Sequence, residues 1–133
     1  MAQRVLIVDD DKLIGESLEK LLILKGLEAK YVEDPHKALI ALKKKEFHIA
    51  LIDLNMPLIN GIDLANLIMA EYPLISTIIM TGYGSVEDYV KAQSLGVMDF
   101  IHKPFECDMF LRMIKDMESA QSAGHGLASR SLN

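Results

Sequence analysis

Short apolar segments alternate with longer amphipathic stretches along most of this chain. Three of the short segments are continuously apolar, as in strands that are buried on both faces: residues 5–8, 49–52 and 77–80. Two others, 27–31 and 99–102, mix apolar with polar residues and are predicted as partly exposed strands. Because apolar residues recur with a helical period after each segment, the sequence predicts a strand followed by a helix, five times in succession.

The predicted helices have recognisable ends and apolar faces. The first helix ends at Gly26, a residue type that commonly follows the last turn. The fourth helix begins at Ser85, which opens a capping box, and ends at Gly96. The fifth helix runs from Cys107 to Glu118. The predicted inward faces of the first and third helices consist of Ile14, Leu18, Leu21 and Leu22, and of Leu64, Leu67 and Ile68.

This alternation predicts an α/β fold, in which a doubly wound parallel sheet of five strands lies between two layers of helices. The continuously apolar strands 1, 3 and 4 belong at the centre of the sheet, and the mixed strands 2 and 5 belong at its edges. The flavodoxin-like (βα)5 strand order 2-1-3-4-5 satisfies both conditions. The pattern ends after Glu118, so residues 1–118 are predicted to form one domain and residues 119–133 a flexible linker or a tail introduced by cloning.

The length, charge and composition of the chain argue against several classes of function. A length of 133 residues suits one domain, and a net charge of −5 argues against a nucleic-acid-binding surface on it. No apolar run approaches the length of a membrane span, and no basic segment precedes a long apolar one near Met1, so neither membrane insertion nor a signal peptide is predicted. The single cysteine, Cys107, suits a reducing compartment, and we therefore expect a cytoplasmic location.

Reactive side chains follow four of the predicted strands. They are Asp9, Asp10 and Asp11 after the first strand, Asp53 after the third, Thr81 after the fourth and Lys103 after the fifth. In a parallel α/β sheet these positions share the carboxyl edge, where such folds bind their ligands. Clustered carboxylates repel each other unless a cation lies among them, and oxygen ligands favour Mg²⁺. With an ammonium and a hydroxyl nearby, the set suits phosphoryl transfer to a carboxylate.

The same residues belong to a set of motifs that extends over residues 4–118. The motifs are Val8-Asp9-Asp10-Asp11, Asp53-Leu54-Asn55-Met56-Pro57, Gly61, Met80-Thr81-Gly82 and Lys103-Pro104-Phe105. In this order they resemble the receiver domain of two-component response regulators, whose fold is that of the chemotaxis regulators. The resemblance implies a phosphorylated signalling domain that can form part of a larger transcriptional regulator. It implies no enzymatic activity beyond Mg²⁺-dependent self-phosphorylation and autodephosphorylation.

The resemblance also assigns a role to each residue of the site. Asp53 would accept a phosphoryl group from the phosphohistidine of a sensor histidine kinase or from a phosphotransfer protein. Thr81 and Lys103 would bind the phosphoryl oxygens and complete the catalytic set with Asp53. Mg²⁺, or alternatively Mn²⁺, would be bound by Asp10, Asp53, the backbone carbonyl of Asn55 and, by way of water, Asp9.

A conformational switch is a further implication of the resemblance. On phosphorylation, the Thr81 hydroxyl would move towards Asp53, and Phe100 would rotate into the space it leaves. The face formed by the fourth helix, the fifth strand and the fifth helix would then change shape for an output domain or for a second copy in a homodimer. The Lys103–Pro104 peptide bond is expected to be cis. An equally good interpretation of Phe100 is a plain core residue.

Two other functions fit part of the pattern. A haloacid-dehalogenase-type phosphatase also combines an aspartate nucleophile, Mg²⁺, a hydroxyl and a lysine. Its nucleophile would be Asp9, which leaves Asp53 unexplained, and Lys12 stands where that family has a small residue. A nucleotide-binding protein would need a glycine-rich loop after the first strand, and the sequence has none there. Asp11 is interpreted as the N-cap of the first helix.

Overall fold

Strands and helices alternate along the described residues as the sequence predicts, apart from the segment between the last two strands, which is described only in part. The computed structural model describes residues 3–57, 59–82, 90, 94, 96 and 99–122, except for the side chains of 118–122. In chain order the elements are β1 (Arg4–Val8), α1 (Lys12–Leu24), β2 (Glu28–Val32), α2 (Pro35–Lys44), β3 (Ile49–Asp53), α3 (Gly61–Glu71), β4 (Ser76–Thr81), β5 (Asp99–His102) and the C-terminal helix (Cys107–Ser122). Every one of these strands begins and ends within one residue of its predicted bounds.

The helices in the second half of the chain differ from the prediction or fall partly outside the description. The C-terminal helix ends at Ser122 rather than at the predicted Glu118, and residues 123–133 lie outside the described part of the chain. Most of the predicted fourth helix also lies outside it, but Gly96 has a positive φ of 89°, as is common for a glycine that ends a helix. Within the described residues, no helix has both the length and the apolar character needed to cross a membrane.

The strands form one parallel sheet in the order β2-β1-β3-β4-β5, which confirms the predicted topology. Their register brings the carboxyl ends of neighbouring strands to the same level. Val8 lies opposite Ile52 in the pair β1–β3, and Thr81 lies opposite His102 in the pair β4–β5. The polar residues that close or follow these strands are therefore placed along one edge of the sheet.

Side chains of the central strands alternate between two apolar layers, one on each face of the sheet. Every residue of β3 and β4 is buried, and so is β1 from Val5 to Val8. The layer towards α2 and α3 includes Leu6, Val8, Ala50, Ile52 and Ile79, and the layer towards α1 and the C-terminal helix includes Val5, Ile7, Leu51, Ile78 and Met80. Burial on both faces explains the continuous apolar runs. The packed side chains also hold the ends of these strands in fixed positions.

The inward faces of α1 and α3 differ in part from the prediction. Ile14 and Leu21 of α1 are 39% and 43% exposed, and Leu67 of α3 is 41% exposed. The ring of Tyr31 lies directly against Gly15, where a Cβ atom would overlap it, so α1 turns this glycine towards the sheet. The buried residues of α1 are accordingly Gly15, Leu18 and Leu22.

β2 lies at one edge of the sheet, and its backbone makes hydrogen bonds on both the inner and the outer side. On the inner side, the carbonyl oxygen of Val32 accepts a hydrogen bond from the backbone N–H of Asp9 at 3.3 Å. On the outer side, the backbone N–H of Tyr31 donates to Oε2 of Glu19, a residue of α1, at 2.7 Å. The end of β2 is therefore connected both to α1 and to the loop that follows β1.

Candidate functional site

Three carboxylates meet where β1 and β3 end. Asp9 directly follows β1 and is fully buried, Asp53 is the last residue of β3 and is only 5% exposed, and Asp10 is exposed. One oxygen atom from each of the three lies within 4.8 Å of the others. Carboxylates at this range repel each other when they are ionised, so the arrangement calls for positive charge among them. The structure thus brings together three of the predicted acidic residues.

The Lys103 ammonium supplies part of that positive charge. Its Nζ lies 2.7 Å from Oδ2 of Asp9 and 3.2 Å from Oδ1 of Asp53. Lys103 follows β5 directly, and its backbone N–H donates to the carbonyl oxygen of Thr81 at 2.9 Å. The Lys103–Pro104 peptide bond is cis, as the resemblance implied. Lys103 contacts two of the three clustered carboxylates, so among the residues described at this edge two negative charges stay unbalanced when all three acids are ionised.

These surroundings change the proton affinity of Asp53 and Lys103. Burial, together with the charge of Asp9, raises the pKa of Asp53 to about 6, although Lys103 acts in the opposite direction. Burial alone would lower the pKa of Lys103, but the hydrogen bond and charge of Asp9 and the charge of Asp53 outweigh it and raise that pKa. At neutral pH the lysine therefore remains an ammonium, and Asp53 is mainly ionised at an electrostatic cost.

Hydrogen bonds hold Asp9 from several sides. Its Oδ1 accepts from the backbone N–H of Asp11 at 2.9 Å, while its Oδ2 accepts from Lys103. Asp11 is itself the N-cap of α1, as predicted. The backbone carbonyl oxygen of Asp9 accepts from the hydroxyl of Tyr31 at 2.8 Å. Burial and the charge of Asp9 raise the pKa of Tyr31 to about 12, so this hydroxyl keeps its proton at neutral pH.

Tyr31 was not among the predicted site residues. Little in the sequence marks Tyr31 as a site residue. A tyrosine on an edge strand can direct its hydroxyl to water, so its presence there does not imply a partner within the protein. The stronger hint is Gly15, since a glycine inside an amphipathic helix often marks a close contact with another element. That contact is the ring of Tyr31.

The chain turns sharply into α3 beside Asp53. The backbone N–H of Gly61, the first residue of α3, donates to the carbonyl oxygen of Leu54 at 2.9 Å. A Cβ atom at position 61 would overlap the carbonyl oxygen of Asp53 and lie 2.8 Å from the Cα of Leu54. The N–H of Leu54 in turn donates to the carbonyl oxygen of Met80 on β4 at 2.8 Å. A glycine therefore allows α3 to begin directly against the backbone that carries Asp53.

The remaining predicted residues lie around the carboxylates. Thr81 is buried at the end of β4, the strand next to that of Asp53. Phe100 is half-buried on β5 and packs against the apolar layer towards α2 and α3. Asn55 is exposed and lines, together with Asp10, a cavity of about 380 Å³. The predicted site residues are thus distributed over the ends of four adjacent strands and the loops that follow them.

The donors at this edge suit a hard divalent cation. The candidate ligand atoms of the cluster are carboxylate oxygens, and Lys103 does not balance their full charge. Mg²⁺ in proteins commonly takes one or two carboxylates and completes its shell with water and phosphate oxygens. The exposed carboxylate of Asp10 and the adjoining cavity leave room for such additional ligands. Mn²⁺ accepts the same kind of donor.

Comparison with known protein sequences points in the same direction. Residues 5–115 match the family described as the response regulator receiver domain. The response regulator protein FleR of Pseudomonas aeruginosa is 37% identical over 114 residues, which are 86% of this chain and 24% of FleR. The transcriptional regulatory protein FixJ of Bradyrhizobium diazoefficiens is 35% identical over 84% of this chain and 54% of FixJ. The chain therefore spans about a quarter of one relative and about half of the other.

Solved structures share the fold. A CheY-like response regulator receiver domain from Methanospirillum hungatei superposes with a TM-score of 0.88 at 29% identity, over 93% of this chain and 99% of that one. The beryllofluoride-activated NtrC4 receiver domain dimer, solved in solution, gives a TM-score of 0.78 at 34% identity, over 85% of this chain and 93% of that one. The similarity extends over most of this chain and nearly all of each of the other two.

Proposed function

The chain belongs to the family of response regulator receiver domains, and we propose that it accepts a phosphoryl group on Asp53 from the phosphohistidine of a sensor histidine kinase or from a phosphotransfer protein. The carboxylate cluster carries this proposal. Asp53 ends a buried strand, 3.2 Å from the Lys103 ammonium and beside two further acids. An acid that merely occupies a turn would not need such neighbours. Receiver domains act in signalling, so we propose no separate substrate for this chain.

In the proposed reaction, a carboxylate oxygen of Asp53 attacks the phosphorus atom of phosphohistidine. The P–N bond breaks as the new P–O bond forms, and the imidazole leaves with the bonding electrons, neutral because its other nitrogen carries a proton. The Lys103 ammonium and the Thr81 hydroxyl would bind oxygens of the transferred group, where negative charge accumulates. Mg²⁺ or Mn²⁺ would offset more of that charge when held by Asp10, Asp53, the carbonyl oxygen of Asn55 and, through water, Asp9.

The alternative of a haloacid-dehalogenase-type phosphatase is not favoured. Its nucleophile would be Asp9, but one carboxylate oxygen of Asp9 accepts a bond from Asp11 and the other accepts from Lys103. Asp9 is also fully buried, which leaves an incoming phosphate ester no direct approach. The family that matches residues 5–115 is a different one.

Intact-mass measurement tests the proposed phosphorylation. After incubation with acetyl phosphate and Mg²⁺, the full chain should gain the mass of one phosphoryl group, and removal of the metal by EDTA should prevent this gain. Asp53→Asn should gain nothing, because an amide is a poor nucleophile. Asp11→Asn is the matched control, since asparagine also caps helices and Asp11 lies outside the proposed phosphoryl site. Equal phosphorylation of wild type and Asp53→Asn would refute the assignment of the acceptor.

The proposed function includes an output switch. Phosphorylation would draw the Thr81 hydroxyl towards Asp53, and the half-buried ring of Phe100 would rotate inwards. Movement at these two positions would reshape the face predicted to be formed by the fourth helix, β5 and the C-terminal helix, which would then bind an output domain or a second copy of the chain. FixJ, a transcriptional regulatory protein, and the activated NtrC4 receiver dimer illustrate the two kinds of partner.

Backbone NMR of the full chain tests the switch. We expect beryllofluoride, a mimic of the phosphoryl group, to shift the amide resonances of β5 and of the C-terminal helix as well as those around Asp53. Phe100→Leu should reduce the shifts on the C-terminal helix while it leaves those next to Asp53 in place, because the smaller side chain cannot transmit the rotation. Amide resonances of β5 and the C-terminal helix that do not respond to beryllofluoride would rule the switch out.

A further inference from the structure

Tyr31 connects the edge strand β2 to the loop that carries the acidic cluster. Its hydroxyl donates to the backbone carbonyl oxygen of Asp9 at 2.8 Å. That carbonyl belongs to the peptide group that joins Asp9 to Asp10. The hydrogen bond therefore restrains the plane of this peptide, and with it the direction in which the side chain of Asp10 leaves the backbone.

Contacts on several sides hold Tyr31 in place. Its ring lies against Gly15 of α1, where any side-chain atom would overlap it. Its backbone N–H is bound by Glu19 from the same helix at 2.7 Å. The register of β1 and β2 places Tyr31 opposite Ile7, two residues before Asp9. One helix and two paired strands thus direct the hydroxyl at a single carbonyl oxygen.

Asp10 depends on its backbone more than the other two acids do. Asp9 and Asp53 are buried, and both contact the Lys103 ammonium. The carboxylate of Asp10 is exposed, and within the described part of the chain no hydrogen bond or ion pair reaches it. The peptide that Tyr31 restrains helps to orient the Cα–Cβ bond of Asp10, and with it the region that this carboxylate can reach.

We infer that Tyr31 is a positioning residue for the cation site, because its hydroxyl orients the Asp9–Asp10 peptide so that the Asp10 carboxylate is preorganised to bind Mg²⁺. Groups that orient metal ligands in this way commonly change metal affinity without touching the metal. The inference rests on the proposed cation site. It adds a residue that contacts neither the metal nor the phosphoryl group.

Tyr31→Phe tests the inference, because phenylalanine keeps the ring against Gly15 and removes only the hydroxyl. We expect the Kd of the full chain for Mg²⁺, measured by isothermal titration calorimetry, to rise about threefold to tenfold. A change of this size corresponds to the net free energy of one hydrogen bond. In the metal-free protein the amide ¹⁵N resonance of Asp10 should also shift, since this nitrogen belongs to the peptide whose carbonyl loses its donor. A purely structural role would lower the urea midpoint and leave the Mg²⁺ Kd unchanged.

Tyr72→Phe is the matched control, because it removes a phenol hydroxyl at the C-terminal end of α3, away from the end that begins at Gly61. Its Mg²⁺ Kd should equal that of the wild type. An unchanged Kd in Tyr31→Phe, or an equal rise in both variants, would overturn the inference while the proposed function stands. Failure of the wild-type chain itself to bind Mg²⁺ would overturn the cation site and the inference together.

Discussion

Asp53→Asn is expected to raise the free energy of unfolding of the metal-free chain by about 3 kcal/mol at pH 7.5, although it removes the proposed phosphoryl acceptor. The cause is the crowding of charge at the end of β3. Burial and the charge of Asp9 raise the pKa of Asp53 from 3.8 to about 6, so ionisation of this side chain disfavours the folded state. Asparagine has nearly the same shape and no charge to accommodate.

The size of this gain depends on pH in a defined direction. Because the pKa of Asp53 is higher in the folded chain than in the unfolded one, its contribution to stability is fully present below about pH 4 and is lost as the pH rises through about 6. The advantage of Asp53→Asn should therefore shrink from about 3 kcal/mol at pH 7.5 to roughly half of that at pH 5. Urea unfolding in EDTA at the two pH values measures the difference, and an advantage that does not change with pH would contradict this explanation.

Mg²⁺ should reverse the order of stability. The wild-type chain should gain about 4.1 kcal/mol when the metal reaches 1,000 times its Kd, which exceeds the metal-free advantage of Asp53→Asn. Asp53→Asn has lost one of the proposed ligands and should gain much less. Asp10→Asn is a useful second variant, because Asp10 is exposed and raises the pKa of Asp53 less than Asp9 does. Its metal-free gain should be below about 1 kcal/mol. A loss of metal-free stability in Asp10→Asn would argue against electrostatic crowding.

Gly61→Ala is expected to lower the free energy of unfolding by about 3 kcal/mol or more. The added Cβ would overlap the carbonyl oxygen of Asp53 and lie 2.8 Å from the Cα of Leu54. Both are backbone atoms, and the N–H of Leu54 is itself bound to Met80 on β4, so neither can move aside as a flexible side chain could. Either α3 leaves its place against the sheet, or the end of β3 shifts and displaces Asp53.

Gly82→Ala is the matched control for this substitution. Gly82 lies at the same edge of the sheet, directly after Thr81. Apart from Gly82 itself and its two chain neighbours, no atom of the described residues comes within 4 Å of a Cβ built there. Its effect on stability should stay within about 0.5 kcal/mol. Urea unfolding at neutral pH compares the two variants, and equal stabilities would show that α3 does not approach β3 as closely as described.

The topology of this protein could be predicted because burial on both faces leaves a clear pattern in the sequence. β1, β3 and β4 appear as continuous apolar runs, whereas β2 and β5 contain polar residues, and this difference is enough to order the strands. The meeting of Asp9, Asp53 and Lys103 follows from the same topology, since residues that close or follow parallel strands share an edge. The distances between them required the structure.

What the pattern did not predict depends on contacts between residues distant in sequence. On α1, either Ile14 or Gly15 can accompany Leu18 at a helical spacing, and the apolar Ile14 is the natural choice from sequence alone. The ring of Tyr31 demands a residue without a side chain, so Gly15 faces inwards instead. The bond from Tyr31 to Asp9 spans 22 residues, and neither residue type indicates it in isolation.

The contact between Glu19 and β2 bears on how this protein behaves at high concentration. An edge strand offers backbone N–H groups with which a strand of another molecule can pair, and such pairing leads to aggregation. At Tyr31 the outward N–H is already bound to a carboxylate. A second molecule would have to displace a charged acceptor before its own strand could pair there. The same contact that holds Tyr31 next to the acidic loop thus also disfavours intermolecular strand pairing at this position of the edge.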